Sequence, residues 1–207
     1  MKKDCCHHDK GKKKIYIYVL IATISFIVTV GSTVFIIWLI LRPTKPQFIL
    51  QGATVNSFSL AAPNLLTSNL QISLSSRNPN GRISIYYDKI EVYASYHGQQ
   101  ITPTTMLSST YQGHKEMTVW SPILCGNEVP LAPYLAVSLN QEQMVGMVLI
   151  NFKMSIKVRW RVGKFVSGTY HLNVNCPAYI NSGNNNNNAA NAGVGNAIQF
   201  KNCHVDV

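Results

Sequence analysis

Hydrophobic residues fill one continuous stretch near the start of the chain, residues 15–41, which carries no charged side chain. As a helix this stretch would be about 40 Å long, more than the ~30 Å hydrocarbon core of a bilayer. A cleaved signal sequence has a shorter apolar region followed by small residues, whereas bulky Trp38 and Leu39 lie at this end. A buried helix of a soluble protein would show a polar face. The pattern therefore predicts one transmembrane helix over residues 15–41.

After the apolar stretch, the pattern changes to apolar and polar residues in alternation, which is typical of strands with one buried face. It is clearest in residues 152–162, and Gly163-Lys164 predicts a tight turn into a second strand over 165–175. Further strands are predicted at residues 48–60, 70–75, 83–96, 117–123 and 198–205, and a short helix within 132–146. About seven strands separated by turn signals favour an all-β fold, an antiparallel β-sandwich.

Residues 181–196 are low in complexity, since eight of these sixteen residues are Asn. Such a segment cannot bury a core, and we expect a disordered loop there. The predicted organisation is a basic tail (1–14), the helix (15–41), a juxtamembrane segment with the first strand (42–67), the sandwich core (68–180), the Asn-rich loop (181–196) and a C-terminal strand (197–207).

The formal net charge of +10 is divided between the two sides of the predicted helix. Residues 1–14 contain six lysines, whereas only Arg42 and Lys45 follow closely after the helix. The positive-inside rule then places the N-terminus in the cytosol and the C-terminal part outside, a single-pass type II arrangement. Nucleic-acid binding is the other common meaning of a basic chain, but no nucleic-acid motif occurs and the larger part lies outside the cell.

Cysteines are also divided between the two sides. Cys5 and Cys6 adjoin the basic run beside the membrane, which suits S-palmitoylation; a plain reduced pair and, less readily, a zinc site in the CCHH run are the alternatives. Outside lie Cys125, Cys176 and Cys203. We expect a Cys176–Cys203 disulfide, because both residues lie in predicted strands, and an odd third thiol that is free or bonded to another chain.

The sequence contains no catalytic motif of the kinds Gly-x-Ser-x-Gly or His-Glu-x-x-His, and no phosphate-binding glycine loop. It therefore predicts no catalytic, cofactor or metal residues. A basic stripe is predicted on one strand face instead, formed by Lys153, Lys157, Arg159 and Arg161. Its hypothetical partner is acidic, a cell-wall polysaccharide or an anionic lipid headgroup, and a solvated polar face is the alternative.

Three segments resemble a known plant family: NPNGRISIYYD (78–88), YQGHKEMTVWSPILCG (111–126) and IKVRWRVGKFVSGTYHLNVNCPAYI (156–180). They are similar to the non-race-specific disease resistance/harpin-induced-like (NHL) family, whose outer domain is of the late embryogenesis abundant type 2 (LEA-2) class. The resemblance implies a fibronectin-III-like sandwich at the plasma membrane. It also implies a role in pathogen defence, including the hypersensitive response, and in abiotic stress, through protein interaction.

Two functional hypotheses follow from this resemblance. In the first, the outer domain contacts cell-wall components and residues 1–14 dock a cytosolic defence regulator. In the second, the domain is a membrane-tethered lipid-binding or stress-protective module. The chain ends in KNCHVDV without a hydrophobic tail, so the anchor is expected to be the helix alone.

The family motif loop formed by Asn78, Pro79, Asn80 and Gly81 has two interpretations. Pro79 fixes its φ angle and the neighbouring residues tolerate turn conformations, so the loop joins two strands in one interpretation. In the other, Asn80-Gly81-Arg82 is an exposed recognition tripeptide.

Overall fold

The computed structural model describes residues 7–40, 43–61, 63–181, 195–197 and 201–206. The chain divides into two compact units, Met1–Arg42 and Pro43–Val207. The first unit is helical and the second is the β domain.

The first unit contains one helix, α1 (His7–Ile40). All side chains from Lys14 to Ile36 are exposed, and this part is long and apolar enough to cross a membrane. Four of its hydroxyl groups donate to carbonyl oxygens one turn earlier, at 2.8–3.0 Å; these belong to Thr23, Thr29, Ser32 and Thr33. This internal pairing is what a helix in hydrocarbon requires, because no water is present to satisfy polar groups.

The helix begins earlier than the pattern predicted, at His7 rather than near residue 15. Lysine is a good helix former, and adding a residue to an existing helix is much easier than starting one. The helix therefore extends through most of the lysine-rich tail. Residues 1–6, with the Cys5-Cys6 pair, lie outside the described residues.

The β domain contains thirteen described strands and one helix. In chain order these are β1 (Gln47–Ala61), β2 (Leu65–Arg77), β3 (Ser84–Tyr96), β4 (Gln99–Gln100), β5 (Thr105–Leu107), β6 (Thr110–Gln112), β7 (Met117–Trp120), β8 (Ile123–Pro130), α2 (Pro133–Val145), β9 (Met147–Val162), β10 (Phe165–Asn181), β11 (Gly195–Ala197), β12 (Lys201–Asn202) and β13 (His204–Asp206).

These strands form two antiparallel sheets. In the first, β1 pairs with β2 on one side and with β11 and β12 on the other, while β7 and β8 pair with the far side of β2. In the second, the order is β13-β10-β9-β3, and β4, β5 and β6 complete the far side of β3. The arrangement confirms the predicted all-β antiparallel sandwich preceded by an apolar helix.

The core lies between the two sheets and is built from the alternating apolar residues. On β9, Phe152, Met154 and Ile156 are buried and the residues between them face outwards. Opposite them, Leu70 and Ile72 of β2 are fully buried. The predicted alternation of residues 152–162 is thereby confirmed, and Gly163, with φ of 57°, forms the predicted turn into β10.

The predicted helix within residues 132–146 is α2. Pro133 stands at its start, and its buried side chains include Leu135 and Leu139. Gly146 ends it with φ of 88°, and the Gly146 N–H donates to the carbonyls of Glu142 and Gln143. This is the left-handed glycine cap expected at a helix end.

Two predicted strands are in fact divided. Residues 117–123 form β7 and the start of β8, separated by Ser121-Pro122, since proline has no N–H for the ladder. Of the predicted strand over residues 198–205, residues 198–200 lie outside the described part of the chain. Residues 201–206 form β12 and β13 on either side of Cys203, because the chain changes there from one sheet to the other.

The predicted domain boundaries also need correction. The sandwich includes β1 and therefore begins well before residue 68, because the first strand supplies one of its central strands. Asn181 ends β10, and residues 195 and 196 belong to β11, so the ends of the predicted Asn-rich loop lie in strands. Its remaining residues, 182–194, lie outside the described part of the chain.

Candidate functional site

The asparagine of the motif loop that follows β2, Asn78, is completely buried. Its amide nitrogen donates to the carbonyl oxygens of Ile83 (2.7 Å) and Gly113 (2.9 Å). Its amide oxygen accepts from the backbone N–H and the side-chain amide of Asn80, both at 3.0 Å. One side chain thereby fixes the turn between β2 and β3 and the loop after β6.

Asn80 extends this network to the first residues of the β domain. Its amide nitrogen donates to the Thr44 carbonyl at 2.8 Å, and its amide oxygen accepts from the Thr44 N–H at 2.9 Å. Asn80 is 8% exposed. The asparagine of the suggested recognition tripeptide is therefore buried and occupied, and the geometry favours the strand-joining interpretation. We call Thr44, Asn78 and Asn80 the asparagine clasp.

A second polar network connects the two sheets through Tyr87. Its hydroxyl lies 2.8 Å from the Ser76 hydroxyl and donates to the Gln112 amide oxygen at 2.9 Å. The Gln112 amide nitrogen donates to the Ser76 carbonyl at 2.8 Å, and the Tyr87 ring packs edge-on against Trp120. Burial raises the pKa of Tyr87, an effect that the Ser76 hydrogen bond partly opposes. These hydrogen bonds hold the two sheets together. With its pKa raised, the Tyr87 hydroxyl stays neutral at physiological pH.

The basic stripe does lie on the outer side of β9, but its four charges are not equivalent. Arg159 forms a bidentate pair with Asp88 of β3, at 2.6 and 2.7 Å, and lies over the Tyr86 ring. Hydrogen bonding from Arg159 lowers the pKa of Asp88. Arg161 donates to the Tyr86 hydroxyl at 2.8 Å and to the Gly163 carbonyl. Both arginines are therefore engaged within the sheet.

The two lysines of the stripe differ from the arginines. Lys157 is exposed and Lys153 half-buried, and among the described residues neither forms an ion pair. Strand pairing places Lys89 beside Lys157, although Lys89 is paired with Glu91 at 2.7 Å. The charge available to an acidic partner is thus concentrated on Lys153 and Lys157.

A third network, which the sequence analysis missed, fastens α2 to the turn after β3. His97 Nε2 lies 3.1 Å from Glu142 Oε1, and the ring of His97 meets that of Tyr96 edge-on. The Tyr96 hydroxyl is buried next to the Glu142 carboxylate. Burial raises the pKa of Tyr96, and the negative charge of Glu142 raises it further. No motif marks this contact, because its residues come from elements far apart in sequence.

Cys176 and Cys203 are joined by a disulfide. Cys125 is a free, exposed thiol on β8. His171 is exposed on β10. Across the ranges that the structure describes, no three His, Cys, Asp or Glu side chains gather as metal ligands would.

Comparison with known proteins gives consistent matches. The family model described as "Late embryogenesis abundant protein" matches residues 73–177. NDR1/HIN1-like protein 1 of Arabidopsis thaliana is 49% identical over 187 residues, which cover 89% of this chain and 90% of the relative. NDR1/HIN1-like protein 12 of the same plant is 52% identical over 188 residues, covering 89% and 88%.

Among solved structures, the putative late embryogenesis abundant protein At2g46140.1, determined in solution, is 18% identical to this chain. The match covers 80% of this chain and 87% of the other, with a TM-score of 0.32. A protein from Archaeoglobus fulgidus matches with the same TM-score and 10% identity, over 65% of this chain and 98% of the other.

Proposed function

Because this chain belongs to the NDR1/HIN1-like (NHL) family and carries its late embryogenesis abundant domain, we propose that it is a single-pass plasma-membrane protein of plant defence and stress responses. The single observation that carries the proposal is near full-length identity of about one half to two members of the family. The protein acts by binding rather than by catalysis. In support, the buried polar side chains of Asn78 and Tyr87 are engaged in structural hydrogen-bond networks.

The proposed arrangement has the N-terminus in the cytosol and the β domain outside the cell. Six lysines before the apolar part of α1 support this orientation through the positive-inside rule. The Cys176–Cys203 disulfide supports it independently, because disulfides persist in oxidising compartments and are rare in the cytosol.

Topology is tested by protease treatment of intact protoplasts that express the full chain with a tag at either end. We expect the protease to remove a C-terminal tag and to leave an N-terminal tag intact until the membrane is opened with detergent. The opposite pattern would contradict the orientation. Imaging of the same cells after plasmolysis tests the plasma-membrane assignment, since a signal confined to internal membranes would exclude it.

The proposed extracellular partner is a carboxylate-bearing cell-wall polysaccharide that binds across Lys153 and Lys157. The exposure of Lys157 and the half-exposed position of Lys153 support this assignment, and neither lysine forms an ion pair within the described part of the chain. The interior of the sandwich is filled by its own side chains, such as Leu70, Ile72 and Phe152, so binding through the outer surface is favoured over a lipid held inside.

Cosedimentation of the full chain with polygalacturonate measures this binding. We expect Lys153→Gln/Lys157→Gln to weaken it and added salt to weaken what remains, because exposed charges are screened. Asp88→Asn is the converse variant, since it releases Arg159 from its carboxylate partner and is expected to strengthen binding. Equal binding by all three proteins would exclude the stripe as the contact surface.

On the cytosolic side, the proposed partner is a defence regulator that contacts residues 1–14. Proximity labelling from an N-terminal fusion tests this proposal. Labelled regulators that disappear when the six lysines are replaced by glutamine support a specific contact. An unchanged set of labelled proteins would contradict it.

A further inference from the structure

Four basic residues surround the asparagine clasp at one end of the β domain. These residues, which we call the basic rim, are all exposed: Lys45, Arg77, Arg82 and Lys115. They come from three separate segments of the chain, the start of the domain, the turn between β2 and β3 and the loop after β6. The sequence pattern did not reveal the rim, because no two of its residues are adjacent.

Backbone hydrogen bonds of the clasp bring these three segments together. The Lys115 N–H donates to the Asn80 carbonyl at 3.2 Å, and the Lys115 side chain reaches over Gly81, whose added Cβ would lie 3.6 Å from it. Lys45 follows Thr44, which is bonded twice to Asn80. Arg77 directly precedes Asn78. The rim is therefore built on two buried, hydrogen-bonded asparagine side chains, Asn78 and Asn80, so its backbone positions are fixed before any ligand binds.

The rim carries little compensating negative charge. In the segments that form it, residues 43–47, 77–84 and 113–117, Glu116 is the single acid. The Glu116 carboxylate accepts a hydrogen bond from the Gly113 N–H within its own turn. Among the described residues, none of the four basic side chains forms an ion pair, and Lys45 Nζ bonds to a neutral carbonyl, that of Val205, at 3.3 Å. Four unpaired cations so arranged favour an anionic partner.

Chain length indicates which anion is within reach. Three residues, 41–43, separate the end of α1 from Thr44, and the four Cα-to-Cα steps of this connection extend no more than about 14 Å. The basic stripe residues Lys153 and Lys157 lie in the middle of a long strand, and no short connection of this kind ties them to α1.

We propose that the basic rim binds anionic lipid headgroups in the outer leaflet of the membrane in which α1 is anchored. The inference rests on the proposed function, because it requires α1 to span a bilayer. The rim binds phosphate and carboxylate groups as a cluster of positive charges, and Arg82 and Lys115 are its members on exposed turns. It thereby holds the β domain against the membrane surface, while the stripe remains available for a partner outside.

The test uses the full chain in lipid nanodiscs made of phosphatidylcholine alone or mixed with phosphatidylserine. Backbone hydrogen exchange is measured by mass spectrometry in residues 80–82 and 113–117. In the discs with phosphatidylserine we expect exchange there to slow at least about fivefold, the effect of one cation near an anionic surface. Arg82→Gln/Lys115→Gln should abolish the difference between the two discs. Both side chains lie outside the clasp, so the variant is expected to fold normally.

Lys153→Gln/Lys157→Gln is the matched control, because it removes the same charge from the stripe and should leave the difference between the discs intact. The inference would be overturned if exchange in the original chain were equal in the two kinds of disc. It would also be overturned if both variants lost the slowing caused by phosphatidylserine to the same extent. Protection of the rim by soluble polygalacturonate in neutral discs, without protection by phosphatidylserine, would assign it to a polysaccharide and overturn the inference too. Failure of the chain to insert into discs would instead count against the proposed membrane anchor.

Discussion

Buried polar side chains such as Asn78 and Tyr87 hold the β domain together, because their hydrogen bonds are made inside the protein. Tyr87 is 1% exposed, and its hydroxyl connects Ser76 of one sheet with Gln112 beside the other. An ionised Tyr87 would place a negative charge in the protein interior, away from water and without a positively charged partner, and this disfavours ionisation. For this reason burial raises the pKa of Tyr87.

The first prediction concerns stability at alkaline pH. When the pKa of a tyrosine is higher in the folded state, its contribution to the free energy of unfolding is complete below the unfolded-state pKa near 10. As pH rises above that value, this contribution is lost by about 1.4 kcal/mol per pH unit. We expect Tyr87→Phe to reduce this alkaline slope and to cost about 1–3 kcal/mol at neutral pH, since Gln112 loses its donor. Urea unfolding of the full chain in detergent, from about pH 8 to about pH 11.5, measures both effects.

Tyr111→Phe is the control, because the Tyr111 side chain is exposed. An alkaline slope that is the same in Tyr87→Phe and in the original chain would contradict the assignment. Tyr96 is expected to supply the part of the slope that remains.

Elements with strict periodicity were predictable from the sequence, and those whose limits depend on a partner were not. Strand β9 and helix α2 follow from local pattern and turn residues. The division of residues 201–206 depends on two different neighbours, β1 and β10, which no local pattern contains. Long-range pairing thus limits the prediction of elements.

The same limit applies to the candidate surfaces. Alternation placed Lys153, Lys157, Arg159 and Arg161 on one side of a strand. The pairing of Arg159 with Asp88 was not predictable, because it depends on the register between β3 and β9. The asparagine clasp was visible as a turn motif, whereas its bonds to Thr44 required the folded chain.

A close approach between elements gives the second prediction. At Gly126 of β8, an added Cβ would collide with the Ile101 carbonyl oxygen and lie 2.9 Å from Ser68 Oγ. Since a backbone carbonyl cannot rotate away, we expect Gly126→Ala to lower the free energy of unfolding by about 2–3 kcal/mol. Gly52→Ala in β1 is the control, because nothing lies within 4 Å of its added Cβ. Equal unfolding midpoints in urea for the two variants would contradict this expectation.

At the scale of the whole molecule, the segment around Cys203 closes one side of the sandwich. Strand β12 pairs with β1 of the first sheet, and β13 pairs with β10 of the second. Between them the Cys203 N–H donates to the Phe48 carbonyl, and its sulfur is bonded to Cys176. One residue is therefore connected to both sheets.

The third prediction follows from this closure. The disulfide joins residues 27 positions apart. A crosslink of that span stabilises by roughly 3–4 kcal/mol through the entropy of the unfolded chain. We expect Cys176→Ala/Cys203→Ala to lose about this amount in chemical unfolding, and dithiothreitol to have the same effect on the original protein. Cys125→Ser is the control and should change little, since Cys125 is exposed; a loss of similar size there would contradict the assignment.

The bond between Phe48 and Cys203 has a kinetic consequence. Its two residues lie roughly 150 positions apart, so the first sheet is complete only after nearly the whole domain has been synthesised and has collapsed. Topologies dominated by such distant pairs fold in milliseconds to seconds, far more slowly than helical bundles of similar size. Until the closing segment arrives, β1 and β10 present unpaired edges that can associate with other chains. The nascent protein is therefore expected to depend on chaperones during its synthesis more than its final stability suggests.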